Sequence, residues 1–233
     1  ANTFVDGLIK DLSGNGNDLT VANAPIYGAG DPAKGGGHIT FDRSSNQYAD
    51  KVNPSGVRAH ADIPFTMEAW ARRTNADSWN TVLCVHAQFT EIGFHTTNFL
   101  FGRNGGGGNT FVYGTGADVD TWYHIVMSYD GNPAYDIEAW VDGSLKATGS
   151  MGWNSTVSST NRIRLGSFGT TSEMLTGNVA IARIYNRCLS RQEIKQNYDA
   201  DKVRFTSYTN TFTPICSGNG GKVEVLTVAG GGG

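Results

Sequence analysis

Residues 122–148, WYHIVMSYDGNPAYDIEAWVDGSLKAT, limit the possible folds more than any other part of the chain. Tyr123, Ile125, Met127 and Tyr129 are apolar on every second position, the period of a half-buried strand. Ile137, Ala139 and Val141 resume the alternation, followed by Leu145 and Ala147. Asp130-Gly131 and Asp142-Gly143 separate the three runs. Asp-Gly suits tight turns because Gly accepts positive φ and Asp bonds its own backbone. The segment therefore predicts three strands joined by two turns.

Short runs of the same kind recur along the chain. Strands are expected at 38–42, 47–52, 64–73, 81–87, 98–103, 109–114, 122–130, 135–142, 144–149, 161–167 and 177–186. Gly, Asn, Asp and Ser divide them, the pattern of an antiparallel sandwich. In 65–73, Phe65, Met67, Ala69 and Ala71 share one face, and Thr66, Glu68, Trp70 and Arg72 share the other. The first face suits a core; the second is expected to be wet or to carry a ligand. One helix is expected at 190–199, where Ser190 and Glu193 make an S-x-x-E capping box and Leu189 and Ile194 a hydrophobic staple. Charged residues at 17% and 31 Gly fit a loop-rich β protein.

A net charge of −3 supplies no basic excess to neutralise phosphates, so no nucleic-acid partner is expected. No apolar run approaches the roughly 18 residues of a membrane span. The chain opens at Ala1 without Met and ends in glycines, which reads as a piece of a longer gene product. The lack of a signal peptide therefore says little about secretion. Cys84, Cys188 and Cys216 are too few and too scattered for a disulfide framework or a zinc site. Buried free thiols are expected at Cys84 and Cys188, with a bridge between them left open.

The pattern W-x-H-I-V-x-x-Y-D-G followed by W-V-D-G-x-L resembles the laminin-G-like family, whose fold is the concanavalin A-like sandwich. DLSGNGNDL at 11–19 is similar to the D-x-S-G-N-G-N loop of bacterial and viral members. FDRSSNQY at 41–48 resembles the family's F-D-G-x-x-x-Y, with Arg43 where Gly is usual. GNVAIARIYNRCLSRQEIKQNYDA resembles the last core strand and its closing helix. The resemblance implies an all-β, antiparallel two-sheet jelly-roll sandwich over residues 1–200, with one short C-terminal helix. It also implies binding of glycans or proteins, with catalysis rare. From 201 to 233 the chain reads as an extended strand segment entering a glycine-rich module. VEVLTVAGGGG resembles the start of such modules in tail or fibre proteins of marine bacteriophages.

Asp136 and Glu138 share a strand face and are the nearest approach to a glycosidase carboxylate pair. Ala134 stands where a first Glu would be, so solvated strand carboxylates are expected and no enzyme. The five histidines show no zinc spacing, and GGGGN at 105–109 lacks the Lys-Ser/Thr of a phosphate loop. A structural calcium ion is the one cofactor considered, with Asp11, Asn15, Asn17 and Asp42 as oxygen donors. The competing reading of 11–18 is an Asx-turn loop that satisfies its own backbone. Sugar recognition needs an aromatic platform beside planar polar groups. Three segments offer one: Trp79 with Asn80, Phe111 and Tyr113 with Arg103 and Asn109, and Trp153 with Asn154. Trp70, Trp122 and Trp140 are expected to pack.

These readings lead to a non-enzymatic module of a virion surface, a tail-fibre adhesin or a capsid fibre or decoration protein. It would bind host surface polysaccharide or neighbouring virion proteins, as a homo-oligomer. The alternative is a carbohydrate-binding module of a secreted bacterial enzyme or adhesin, and a third reading is a purely structural brick. The expected location is the virion surface or the extracellular space.

Overall fold

A computed structural model describes residues 4–5, 7–28, 37–57, 63–85, 90–102, 111–132, 137–149 and 161–205. The strands are β1 (Phe4–Val5), β2 (Leu8–Ile9), β3 (Leu19–Ala22), β4 (Ile26–Gly28), β5 (His38–Phe41), β6 (Tyr48–Val52), β7 (Phe65–Arg73) and β8 (Asn80–Val85). They continue as β9 (Thr90–His95), β10 (Asn98–Phe101), β11 (Phe111–Thr115), β12 (Tyr123–Tyr129), β13 (Ile137–Val141), β14 (Ser144–Gly149), β15 (Arg162–Leu165) and β16 (Gly177–Tyr185). One helix, α1 (Arg191–Asp201), follows.

The strands form two antiparallel sheets. The nine-stranded sheet runs β1-β2-β3-β6-β15-β8-β9-β10-β11, and the seven-stranded sheet runs β14-β13-β12-β7-β16-β5-β4. Their inner faces meet in one core that includes Phe41, Phe65, Met67, Leu83, Ile92, Phe94, Phe101, Ile125 and Met127. The alternation of 123–129 is thus used as expected. Ile125 and Met127 face the core, while Val126 joins a second cluster on the outer side.

Five strands were not anticipated: β1 to β4 and β9. The first four are two to four residues long and carry too few alternations to read. In β9, TEIGFH, Glu91 and Gly93 break an apolar reading, although Ile92 and Phe94 both enter the core.

The outer face of the seven-stranded sheet is not open. Ser190 accepts the Glu193 amide and Glu193 returns a bond to the Ser190 amide, so the capping box forms. Leu189 and Ile194 then pack together on Val126 and Trp140. Trp70 lies under Phe205, with ring centroids 4.2 Å apart, and stacks on Tyr198 at 5.7 Å. Trp122 joins this cluster. The face of Glu68 and Trp70, expected to be wet or to carry a ligand, is therefore filled by the chain's own helix and the turn after it. Cys84 and Cys188 are both free thiols, which closes the question of a bridge between them.

The antiparallel order sorts the connections into two ends. Loops 42–47, 74–79, 96–97, 116–122 and 166–176 gather at one end, tied by Thr74 N to Thr176 O at 2.9 Å and Gly116 N to Thr97 O at 3.1 Å. Loops 11–18 and 53–57 lie at the other, where Asn17 and Ser55 exchange two hydrogen bonds.

Candidate functional site

At the first end, loop 74–79 leads into β8 and presents Trp79. The Trp79 backbone has φ 61, in the left-handed region. A bulky residue there costs about 1–3 kcal/mol and persists only where its surroundings hold it. Arg43 does the holding. Its guanidinium donates to the carbonyls of Trp79 and Ser78 and to Asp77 Oδ2 at 3.1 Å. Its Nε donates to the Met174 carbonyl at 2.9 Å. Arg43 stands where the family motif usually has Gly. The left-handed residue of that turn is Asn46 instead, so the side chain at 43 is free to reach the neighbouring loop.

The Trp79 ring meets His95 edge-on, with centroids 4.3 Å apart. Because Phe94 faces the core, His95 points outward. Register continues the row: His95 lies opposite Asn98, and Asn98 opposite Thr115. Trp79, His95 and Asn98 are half-buried and Thr115 is exposed. Asp77 is exposed at the loop tip and also takes a bond from Asn75 Nδ2 at 2.7 Å. The rim thus combines an aromatic face, an imidazole, an amide, a hydroxyl and a fixed carboxylate. That is the chemistry that stacks on sugar C–H faces and bonds sugar hydroxyls.

Of the other sequence-based candidates, Asn80 does not join this rim. Asn80 is fully buried. Its Nδ2 donates to the Asp77 carbonyl at 2.8 Å and its Oδ1 accepts the Thr176 amide at 3.2 Å. It braces the loop from below and presents nothing to a ligand. Phe111 and Tyr113 lie opposite Phe101 and Phe99 in the register, and both of those are core residues. Arg103, Asn109, Trp153 and Asn154 lie outside the described residues. The residues that sequence reasoning missed are Arg43, His95, Asn98 and Thr115. Only Arg43 left a signal, as a departure from the family motif.

The calcium donors do not fit the ion as arranged. Asp11 spends both oxygens on the loop's own amides, Ser13 at 2.8 Å and Asn17 at 2.9 Å. Slight burial opposes its charge, but these bonds hold the carboxyl below its ordinary range. Asp18 is paired to Lys10 at 2.8 Å, so a cation already sits there. The Asn15 side chain donates to Ser13, and Asn17 is committed to Ser55. Asp42 caps its own turn by accepting from Ser44 and Ser45. Among the described residues, no three His, Cys, Asp or Glu side chains come together to hold a metal. EGTA is expected to leave the melting midpoint unchanged, and elemental analysis to find no calcium. A lowered midpoint would return the ion to loop 11–18.

The carboxylates are also unlike a glycosidase pair. Glu138 is bound by Arg191 at 2.7 Å, and Asp136 lies outside the described residues. Among the described residues, the two fully buried carboxylates, Glu68 and Glu91, belong to different sheets. Glu68 is enclosed by His124 Nε2 at 3.1 Å, Arg183 Nη1 at 2.6 Å and Asn197 Nδ2 at 2.8 Å. Glu91 accepts the Thr81 hydroxyl at 2.5 Å. An acid–base pair must flank one scissile bond, and these two do not share a face.

No helix among the described residues is long and apolar enough to cross a membrane. No curated protein matches the chain. Among solved structures, the binding domain of Paraclostridial Mosquitocidal Protein 1 superposes with a TM-score of 0.62 at 16% identity, covering 85% of this chain and 51% of that one. The botulinum neurotoxin serotype G binding domain gives 0.57 at 14%, covering 82% and 48%. A botulinum neurotoxin type C structure, of a toxin described as dependent upon interaction with two ganglioside molecules, gives 0.58 at 13%, covering 82% and 48%. The chain thus spans about half the length of these structures. The profile of the concanavalin A-like lectin/glucanases superfamily matches residues 43–195, more than half of the sequence. With two antiparallel sheets closed by one helix, the chain belongs to the concanavalin A-like lectin/glucanases superfamily.

Proposed function

We propose that this chain is a non-enzymatic module that binds surface glycans through the Trp79 rim. The observation that carries this reading is the strained Trp79 backbone, held by Arg43 beside His95. Strain at a surface tryptophan is retained where it serves recognition. Cell entry of the type C toxin, whose structure shares this fold over 48% of its length, is dependent upon two ganglioside molecules, which are glycolipids. Shallow rims bind weakly one at a time, so the module works in several linked copies, as a homo-oligomer or along a fibre. Placement on a virion rests on residues 206–233, outside the described residues. A secreted bacterial enzyme or adhesin would use the same rim.

The test is a glycan array followed by Trp79→Ala on the best ligand. The expected loss is about 30-fold or more in affinity, the range of a buried tryptophan hot spot. The melting midpoint should hold, because Ala at 79 gives up little core. Undiminished binding by Trp79→Ala would remove the rim from the function. A flat array together with a tight symmetric assembly would favour the structural brick.

A further inference from the structure

A cleft of about 450 Å³ opens on the outer side of the seven-stranded sheet, at the end away from Trp79. It lies between the ends of β12 to β14 and the turn before α1. Ser128, Glu138 and Thr148 form a row across it, because Ser128 pairs with Glu138 and Glu138 with Thr148. Cys188, Leu189 and Arg191 close the other side, and Asp130 stands at the mouth. The Ser128 hydroxyl is buried and meets the sulfur of Cys188, a weak hydrogen-bond partner, with no oxygen or nitrogen partner beside it. Sulfur accepts weakly, so the hydroxyl keeps bonding capacity that a ligand hydroxyl would use. Glu138 Oε1 and Arg191 Nη2 hold each other at 2.7 Å, which fixes a planar acceptor beside a planar donor. The neighbouring Arg187 is already engaged with Glu193 at 2.8 Å.

We propose that this cleft is a second binding site, for a neutral sugar or similar polyol. Its size falls in the range of small-ligand pockets. Asp130 and Glu138 against one Arg191 disfavour a phosphate, a sulfate or an acidic sugar, since like charges would meet without a counter-charge. Carboxylate and guanidinium together accept from and donate to vicinal hydroxyls. Thr148 and Ser128 add hydroxyl contacts at either side. Leu189 adds an apolar surface for a C–H face. The site is separate from the rim in sheet and in end, so either can fail without the other.

The test is amide NMR of the whole chain titrated with glucose, galactose, mannose and N-acetylglucosamine. Concentrations up to about 100 mM cover millimolar affinities. Saturable shifts are expected at Ser128, Glu138 and Leu189 to Gln192, with slower alkylation of Cys188 by iodoacetamide when the sugar is present. Glu138→Gln, which keeps the shape, should weaken the shifts at least tenfold. Trp79→Ala should leave them unchanged. No saturable shift at these amides with any of the four sugars would overturn the proposal. So would shifts that Glu138→Gln and Ser128→Val both leave intact.

Discussion

Glu68→Ala should destabilise the sandwich by about 3–5 kcal/mol, the cost of breaking a buried ionic network from one side. Glu68 is fully buried on β7 and joins three elements. His124 on β12, Arg183 on β16 and Asn197 on α1 all reach its carboxylate. Arg183 also meets Asp201 at 2.7 Å, so the network ties the end of the helix to the sheet. Without Glu68, the buried His124 imidazole loses its acceptor and Arg183 keeps only Asp201. The helix would lose the Asn197 bond to the sheet and rest on its apolar and ring contacts and its remaining ion pairs. Chemical denaturation should show the drop, and hydrogen exchange should show it first in α1.

The same group sets an acid limit. Burial works against the Glu68 charge, but the His124 bond, the Arg183 charge and the Asn197 amide outweigh it and hold the carboxyl below its ordinary value of 4.5. A carboxyl with a depressed folded-state pKa stabilises fully above the unfolded value, and that stability is lost as pH falls through the folded value. Stability should therefore decline below about pH 4.5. Asp142 pulls the other way. Burial raises its pKa despite the His124 amide, so acid relieves a cost there. The Glu68 share is isolated by Glu68→Gln, whose unfolding free energy should decline less steeply in acid than that of the wild type. An identical pH profile in wild type and variant would remove Glu68 as the cause.

Gly93→Ala should cost about 1–3 kcal/mol by overpacking and should also weaken glycan binding. A Cβ at 93 would stand 2.3 Å from the Asn80 carbonyl and 3.0 Å from Val82 N. Both are backbone atoms of β8, where the register slips between Thr81 and Leu83 to form a bulge. A backbone obstacle does not rotate away, so β8 must shift. Bulges re-aim neighbouring side chains, and this one lies directly after Trp79. Stability and ligand affinity should fall together in Gly93→Ala, whereas Trp79→Ala should lower affinity alone. A Gly93→Ala protein with a normal melting midpoint would show that the bulge is not pinned by that contact.

The contrast between β7 and loop 74–79 shows what was legible. In β7 the alternation assigned faces correctly: Phe65, Met67, Ala69 and Ala71 are core residues. The same pattern left the opposite face open to several uses, because periodicity says which residues share a side and not what covers it. Helix α1 covers it, and Phe205 and Tyr198 lie on Trp70 where a ligand ring was a plausible occupant.

Local order, by contrast, is a property of neighbours in sequence. The Asp-Gly turns, the Ser190–Glu193 box and the two-residue period act within a few residues, so the chain alone determined the strands of 122–149, the helix and the sandwich class. The rim is assembled from residues 43, 77, 79, 95, 98 and 115. Long-range pairing brings these together, and no local pattern encodes it. The tertiary structure decided that Arg43 holds Trp79, that Asn80 is a brace and that Glu68 is a buried anchor. In each case a side chain's role followed from which distant backbone lay within hydrogen-bond reach.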